Sequence, residues 1–218
     1  MITIMNNRPD FSGFVVHFTS RSGEIKSGQT PKEFKEKAAM SAQDKLISIL
    51  KDKKIVATPM PWTYANAVCF TECPWATLLA HTKKYSSYGI GFSKRFVFSR
   101  NGGPAFYIRP DHFDDQMSEK RFAKHLWPFV TPFSPTYRPN WMKDKYKKIG
   151  DCDYSHEREW RVPHDFQFDY DDIQFVILKN YDDMAKFPKE FKDAIGRDRF
   201  ILMENYKLIE TIWPVHKI

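Results

Sequence analysis

The sequence predicts an α+β fold, in which helices dominate the N-terminal part and strands most of the rest. Two observations support this: apolar residues recur at helical spacing around residues 41–54, and short β-branched or aromatic runs, such as residues 14–18, recur later in the chain. Turn residues, among them Asn101-Gly102-Gly103, separate those runs. The 218 residues are enough for one sizeable core, so we expect a single domain over residues 1–218.

The N-terminal elements follow from local patterns. FVVHF at 14–18 is typical of a buried strand, and Thr30-Pro31 is typical of a helix start with Pro at the first helical position. SAQDKLISILKDKK at 41–54 predicts an amphipathic helix, and NAVCFTE at 66–72 predicts a short strand.

The later elements are predicted on the same grounds, with one interruption. Residues at about 116–149 are rich in Pro, Lys, Arg and large aromatics, which indicates a helical or loop insertion. The remaining predictions are strands at 88–98, 104–110, 157–163 and 173–179, a helix at 187–196, and a last strand at 200–213.

Composition limits the class of protein. Hydrophobic residues make up 42% and charged residues 28%, which is ordinary for a folded domain. We find neither an apolar run near the roughly 20 residues that span a bilayer nor a secretion signal, so we expect a cytoplasmic protein without a membrane partner. The net charge of +7 favours an acidic partner or substrate.

Three cysteines are too few for a disulfide framework. Cys69, Cys73, His81 and Cys152 would have to combine to hold a metal, and their spacing is not that of a zinc site. We therefore expect core thiols and no metal.

His17 lies inside an apolar strand, on the same face as Val15 and Thr19. Such a histidine either hydrogen-bonds within the core or binds the hydroxyls of a ribose. The residues alone leave both interpretations open.

The segment EREWRV at 157–162 is predicted to be a strand, in which Glu157, Glu159 and Arg161 share one face. One interpretation is a surface ladder of salt bridges, which stabilises weakly. The other is a carboxylate that stabilises an oxocarbenium ion, because positive charge on an anomeric carbon requires a fixed negative neighbour.

The aromatic residues that follow the strand at 66–72 are a third candidate. His81 or a tyrosine, Tyr85 or Tyr88, can cover a flat ring, whereas tyrosines that pack at a domain edge would look the same in the sequence.

These segments together resemble the ADP-ribosyltransferase superfamily. Within it, HFTS and LISIL are similar to the corresponding segments of DarT-like enzymes. The chain as a whole resembles more closely the AbiGi family of abortive-infection proteins. The resemblance implies a split β-sheet core with N-terminal helices, and NAD as a co-substrate. It is carried by HFTS (17–20), LISIL (46–50), AVCFTECPWATLLAH (67–81), YGIGFSK (88–94), PAFYI (104–108) and EREWR (157–161).

The resemblance implies roles for individual residues. Glu159 matches the catalytic glutamate, and Glu157 matches the residue that positions the acceptor. His17 matches a ribose-binding histidine, and either His81 or Tyr88 falls where an aromatic packs on nicotinamide. The remaining residues of the matching NAD-binding segments are Phe18, Thr19, Phe70 and Thr71.

The function implied is a mono-ADP-ribosyltransferase toxin of a phage-defence or toxin–antitoxin system. Its acceptor is predicted to be RNA or single-stranded DNA, because the tract 120–148 interleaves basic and aromatic residues as single-strand binders do. A protein acceptor, and a non-catalytic antitoxin or binding module with the same fold, remain alternatives; an antitoxin protein is a possible partner. The candidate nucleic-acid-binding residues are Lys143, Lys145, Lys147, Lys148 and Trp141.

Overall fold

A computed structural model describes residues 12–19, 40–72, 82, 85–119, 121–134, 153 and 155–212. The described part contains six helices and mostly antiparallel strands, which confirms the α+β class. The strands are β1 (Phe14–Phe18), β2 (Lys54–Ile55), β3 (Thr58–Pro59), β4 (Asn66–Thr71), β5 (Gly89–Ser93), β6 (Gly103–Pro104), β7 (Phe106–Ile108), β8 (Val130–Pro132), β9 (Glu159–Val162), β10 (Phe166–Gln167), β11 (Ile173–Leu178) and β12 (Phe200–Leu202). The helices are α1 (Ala42–Asp52), α2 (Lys94–Ser99), α3 (Pro110–Ser118), α4 (Tyr181–Lys186), α5 (Lys189–Ile195) and α6 (Met203–Ile212).

The chain forms two compact units, each with its own strands. Unit 1 takes its described residues from Met1–Lys54, Glu72–Phe96 and Gln167–Ile218, and unit 2 takes them from Ile55–Thr71 and Val97–Phe166.

Unit 1 contains four strands in the order β12-β11-β5-β1. β5 pairs antiparallel with both β1 and β11, whereas β11 and β12 pair in parallel. The parallel pair is possible because α4 and α5 form the crossover between these two strands. All but one of the residues of β11 are buried, as expected for a strand covered on both faces.

β1 alternates as the sequence predicts. Val16 and Phe18 face a buried cluster with Phe175, Ile177 and Met203. The intervening His17 therefore lies on the opposite face of the strand and is half-buried.

Gly91, in the segment YGIGFSK, occupies a position that has no room for a side chain. It pairs with Val16 on β1 and with Phe175 on β11, and a methyl group added to it would lie 2.4 Å from the Phe175 ring. Glycine leaves the space that this ring fills.

The helix predicted at 41–54 is confirmed as α1. The Ser41 hydroxyl accepts a hydrogen bond of 3.1 Å from the backbone N–H of Asp44, and Lys53 ends the helix in the left-handed conformation. Leu46 and Leu50 are buried on its inner face.

The strand predicted at 88–98 is only half correct, because the chain turns into α2 after Ser93. The Ser93 hydroxyl accepts a hydrogen bond of 3.2 Å from the N–H of Phe96, which caps the helix. Asn101 then adopts φ 60°, and the N–H of Gly102 donates to the Val97 carbonyl at 2.9 Å, which ends the helix. These caps outweigh the β-propensity of the aromatic residues between them.

The strand predicted at 200–213 is also mostly wrong. Among the described residues of this range, 200–212, only Phe200–Leu202 are extended, and Met203 begins a helix. Met203 is fully buried and Tyr206 packs against the same cluster, which is the spacing of a helical face.

Unit 2 contains β3, β4, β9 and β6, each antiparallel to the next, and the parallel pair of β7 and β8.

The predicted strands at 66–72 and 173–179 are confirmed, as is the helix at 187–196. The run at 104–110 breaks into two short strands and then begins α3, with Pro110 at the first helical position.

We predict that Gly91→Ala lowers the free energy of unfolding by about 1–3 kcal/mol, because the new methyl group displaces the Phe175 ring from a packed core. Urea denaturation measures the loss. Gly13→Ala is the control, since a methyl group there meets no atom within 4 Å. Phe175→Leu should make the alanine at position 91 less costly; equal costs in both backgrounds would contradict this explanation.

Candidate functional site

A group of polar residues in unit 2 lies on one face of β4 and β9. In this antiparallel pair Cys69 is opposite Arg161, and Thr71 is opposite Glu159. Because side chains alternate along a strand, these four share a face. On β6 the residue opposite Arg161 is Gly103, which adds no side chain to that face.

The opposite face of the same strands belongs to the core. Val68, Phe70 and Val162 are buried there, and the Phe70 ring meets the edge of Phe166 at 5.0 Å between centroids. Phe70, which the sequence predicts to bind NAD, therefore points away from Glu159.

Arg161 is the centre of the polar face. Its side chain has 0% exposure. Nη1 donates to the carbonyls of Pro128 (2.9 Å) and Val130 (3.1 Å), and Nη2 donates to the Thr131 hydroxyl (2.5 Å) and to Glu159 Oε2 (2.5 Å). Nε is buried and has no partner among the described residues.

Trp62 completes the surroundings of the guanidinium. The Arg161 Cζ atom lies 5.7 Å from the centroid of the Trp62 ring, within the range of a cation–π interaction. The indole N–H donates to the Val130 carbonyl at 2.7 Å. Burial by itself would lower the pKa of Arg161, but the Glu159 carboxylate raises it above its ordinary value, so this site holds a permanent positive charge.

Glu159 therefore presents a carboxylate held against a buried cation. Its side chain is 11% exposed. The surface ladder of salt bridges considered from the sequence is wrong for this pair, because Arg161 is fully buried. The arrangement can fix the orientation of a carboxylate that stays partly exposed.

Glu157 does not share the strand of Glu159, which corrects the sequence prediction. Residues Ser155–Glu157 form a 3-10 turn, and Arg158 adopts φ 45°, so the extended backbone begins only at Glu159. The left-handed conformation of Arg158 changes the direction of the chain at this point. The Glu157 side chain is buried, at 7% exposure, and its Oε1 lies 3.9 Å from Nε2 of His156.

Tyr107, which the sequence did not single out, lies opposite Thr131 in the β7/β8 pair and so beside the polar site. Burial first, and then the negative charge of Glu159, raise the pKa of this half-buried phenol, and Glu157 acts in the same direction. The phenol is therefore a neutral hydrogen-bond donor within the field of both carboxylates. The signal in the sequence was PAFYI, in which the tyrosine stands between two apolar residues.

Cys69 lies beside the same carboxylate. Its Sγ is 3.7 Å from the Met60 sulfur. Burial, and then the charge of Glu159, raise the pKa of the thiol well above its ordinary value of 9.0. Cys69 is therefore protonated and not poised as a nucleophile at neutral pH.

The predicted residues of unit 1 have different surroundings. The Thr19 hydroxyl donates to the Ala42 carbonyl at 2.8 Å, which ties the end of β1 to the start of α1. Phe18 stacks on Tyr85 at 6.2 Å between centroids. The Tyr88 hydroxyl donates to Asp183 Oδ2 at 2.7 Å.

Several predicted residues lie outside the described part of the chain. These are His81, Trp141, Lys143, Lys145, Lys147 and Lys148, together with Cys73 and Cys152.

Within the described residues, no group of three or more His, Cys, Asp or Glu side chains is arranged to hold a metal ion. In the same part of the chain, no helix has the length and apolar character needed to cross a bilayer.

Comparisons with protein-family models, curated proteins and solved structures found no match to this chain. The resemblance to the AbiGi family and to ADP-ribosyltransferases therefore stays a prediction based on its motifs.

We predict that Cys69 makes the protein less stable in alkaline solution. Above pH 9.0 the unfolded thiol loses its proton, whereas the folded thiol, with its raised pKa, retains it. The folded state then binds more protons than the unfolded state, so its stability falls with pH by up to about 1.4 kcal/mol per pH unit until the folded pKa is passed.

Urea denaturation of the unaltered protein and of Cys69→Ala between pH 7 and 10.5 measures this term as the difference between the two curves. The difference should shrink above pH 9. Curves that stay parallel would show that the folded thiol titrates like the unfolded one.

Proposed function

We propose that this protein is an NAD-dependent mono-ADP-ribosyltransferase in which Glu159 is the catalytic carboxylate. The observation that carries the proposal is the ion pair between Glu159 and the fully buried Arg161. The Glu159 side chain in this pair remains 11% exposed.

The chemistry suits a carboxylate held in this way. The bond between the ribose C1′ and the nicotinamide nitrogen breaks, and its electron pair leaves with nicotinamide. The sugar becomes an oxocarbenium-like cation, which the acceptor attacks as it loses a proton. A negative charge already fixed in position stabilises that cation without reorganisation during the reaction.

Tyr107 and Glu157 supply the remaining polar groups of this site. As a neutral phenol, Tyr107 can donate a hydrogen bond to a ribose hydroxyl. Glu157 is buried one turn before β9 and is the candidate for orienting or deprotonating the acceptor.

The NAD-binding roles of His17, Phe18 and Thr19, and of His81 or Tyr88, rest on the resemblance and stay predictions. So does a role for Thr71, which lies opposite Glu159 in the β4/β9 pair.

The acceptor that we propose is RNA or single-stranded DNA, in the setting of a phage-defence or toxin–antitoxin system. The support is the net charge of +7 and the basic, aromatic tract at 120–148. A protein acceptor is the next alternative.

A second candidate function, a non-catalytic antitoxin or binding module, is favoured by one observation. The Arg161 guanidinium donates to three oxygens of residues 128–131 as well as to Glu159, as a purely structural ion pair would. The two functions differ in whether the protein releases nicotinamide from NAD.

We predict that Glu159→Gln lowers the rate of nicotinamide release by about two to four decades, because the amide keeps the shape of the side chain and removes its charge. Nicotinamide is measured by chromatography after incubation with NAD and mixed cellular nucleic acid. Glu119→Gln, a change to an exposed carboxylate paired with Arg121, is the matched control and should leave the rate unchanged.

Expression of the unaltered protein should arrest growth, and expression of Glu159→Gln should not. Equal toxicity of the two, or no nicotinamide release by the unaltered protein, would favour the binding module.

We predict that the lysines at 143, 145, 147 and 148 contact phosphates. Each contact that releases a counterion contributes about 0.7 to the log–log slope of single-strand affinity against salt. Replacing all four by glutamine should reduce that slope, measured by fluorescence anisotropy with a labelled oligonucleotide at several salt concentrations. Trp141→Ala should weaken binding with little change in slope, because stacking is not ionic. An unchanged slope in the lysine variant would leave the tract without a role in binding nucleic acid.

A further inference from the structure

Arg161 makes more contacts than a simple partner of Glu159 requires. Beside the bond to Glu159 Oε2, its guanidinium donates to two backbone carbonyls and to the Thr131 hydroxyl. The same nitrogen, Nη2, donates to both Thr131 and Glu159, each at 2.5 Å. One nitrogen of the guanidinium therefore links the Glu159 carboxylate to Thr131 in the segment 128–131.

The geometry leaves this guanidinium little freedom. Arg161 is fully buried, its planar group lies over the Trp62 ring, and its donors occupy fixed directions. Trp62 itself donates to the Val130 carbonyl, which also accepts from Arg161. A shift of the segment 128–131 would therefore move the guanidinium, and with it the Glu159 oxygen to which it is bonded.

We propose that Arg161 is the positioning residue of the reaction, and that it couples the placement of the Glu159 carboxylate to the segment 128–131 through the Thr131 hydroxyl. This inference rests on the proposed function. It adds that a residue without contact to the substrate, Thr131, contributes to the rate through Arg161.

The coupling matters for rate because a displaced catalytic group loses transition-state stabilisation faster than it loses substrate affinity. Arg161→Lys keeps the charge but replaces a planar group with several donors by a single ammonium. Thr131→Val keeps the shape of the side chain and removes the oxygen that holds Nη2. Both changes leave Glu159 in the sequence and should loosen its carboxylate.

The test measures kcat for nicotinamide release and the Kd for NAD, at a temperature where each variant is shown to be folded. We expect kcat to fall on the order of 10–100-fold for Arg161→Lys and about 10-fold for Thr131→Val, with Kd changed less than about 3-fold. Thr131→Ser, which restores the acceptor oxygen, should recover most of the loss.

Tyr170→Phe is the matched control, because it also removes a single hydroxyl group. The Tyr170 hydroxyl belongs to unit 1, where it donates to the Leu50 carbonyl at 3.2 Å. Its loss should lower the melting temperature and leave the kcat of the folded protein unchanged.

A double-mutant cycle separates positioning from a general loss of structure. In the Glu159→Gln background, Arg161→Lys and Thr131→Val should cause little further loss, because no catalytic charge remains to be positioned. Equal losses in both backgrounds, or unchanged kcat in the Glu159 background, would overturn the inference while the proposed function stands. No nicotinamide release by the unaltered protein would overturn both.

Discussion

The guanidinium of Arg161 carries a full positive charge but has no exposed surface, and Glu159 and residues 128–131 of unit 2 supply the oxygens that it needs. Removing such a charge from water costs several kcal/mol, which only close, well-directed partners offset. Two carbonyls, a hydroxyl and a carboxylate provide those partners, and they come from β9 itself and from residues 128–131. The polar site and the local fold are therefore parts of one arrangement.

This constraint bears on the proposed function in two ways. A carboxylate held beside a buried cation keeps its orientation, as the proposed stabilisation of an oxocarbenium ion requires. The same contacts also hold β9 to residues 128–131, so in the proposed enzyme a change at Arg161 would affect stability and chemistry at once. Only kinetic comparisons between folded variants separate these effects, since both would appear as lost activity in a cell.

Unit 1 is organised mainly by packing, with a largely buried ion pair between Lys94 and Glu72 in addition. Phe175 fills the space left by Gly91, and Val16, Phe18 and Met203 close the cluster around it. The polar groups in this unit are largely committed to holding elements together, as Thr19 does for β1 and α1 and as Tyr88 does for β5 and α4. A role for these residues in NAD binding would have to coexist with those bonds.

Local sequence determined the α+β class, the strands at 14–18, 66–71 and 173–178, and the helices α1 and α5, because each has a clear apolar period or a recognisable cap. It also singled out Glu159 and Arg161 as residues of one strand face. The short helix after Ser93 escaped prediction because a single capping hydroxyl outweighed the β-propensity of its aromatic residues.

The sequence likewise did not reveal the left-handed Arg158 that separates Glu157 from Glu159, because an arginine, unlike a glycine or an asparagine, does not indicate that conformation. Tertiary structure alone decided that Arg161 is buried and that Thr131 and Tyr107 join its site. Those contacts connect residues some 30 to 50 positions apart in the sequence. The hydrophobic periodicity of a single helix or strand does not indicate which distant oxygens will contact a buried charge.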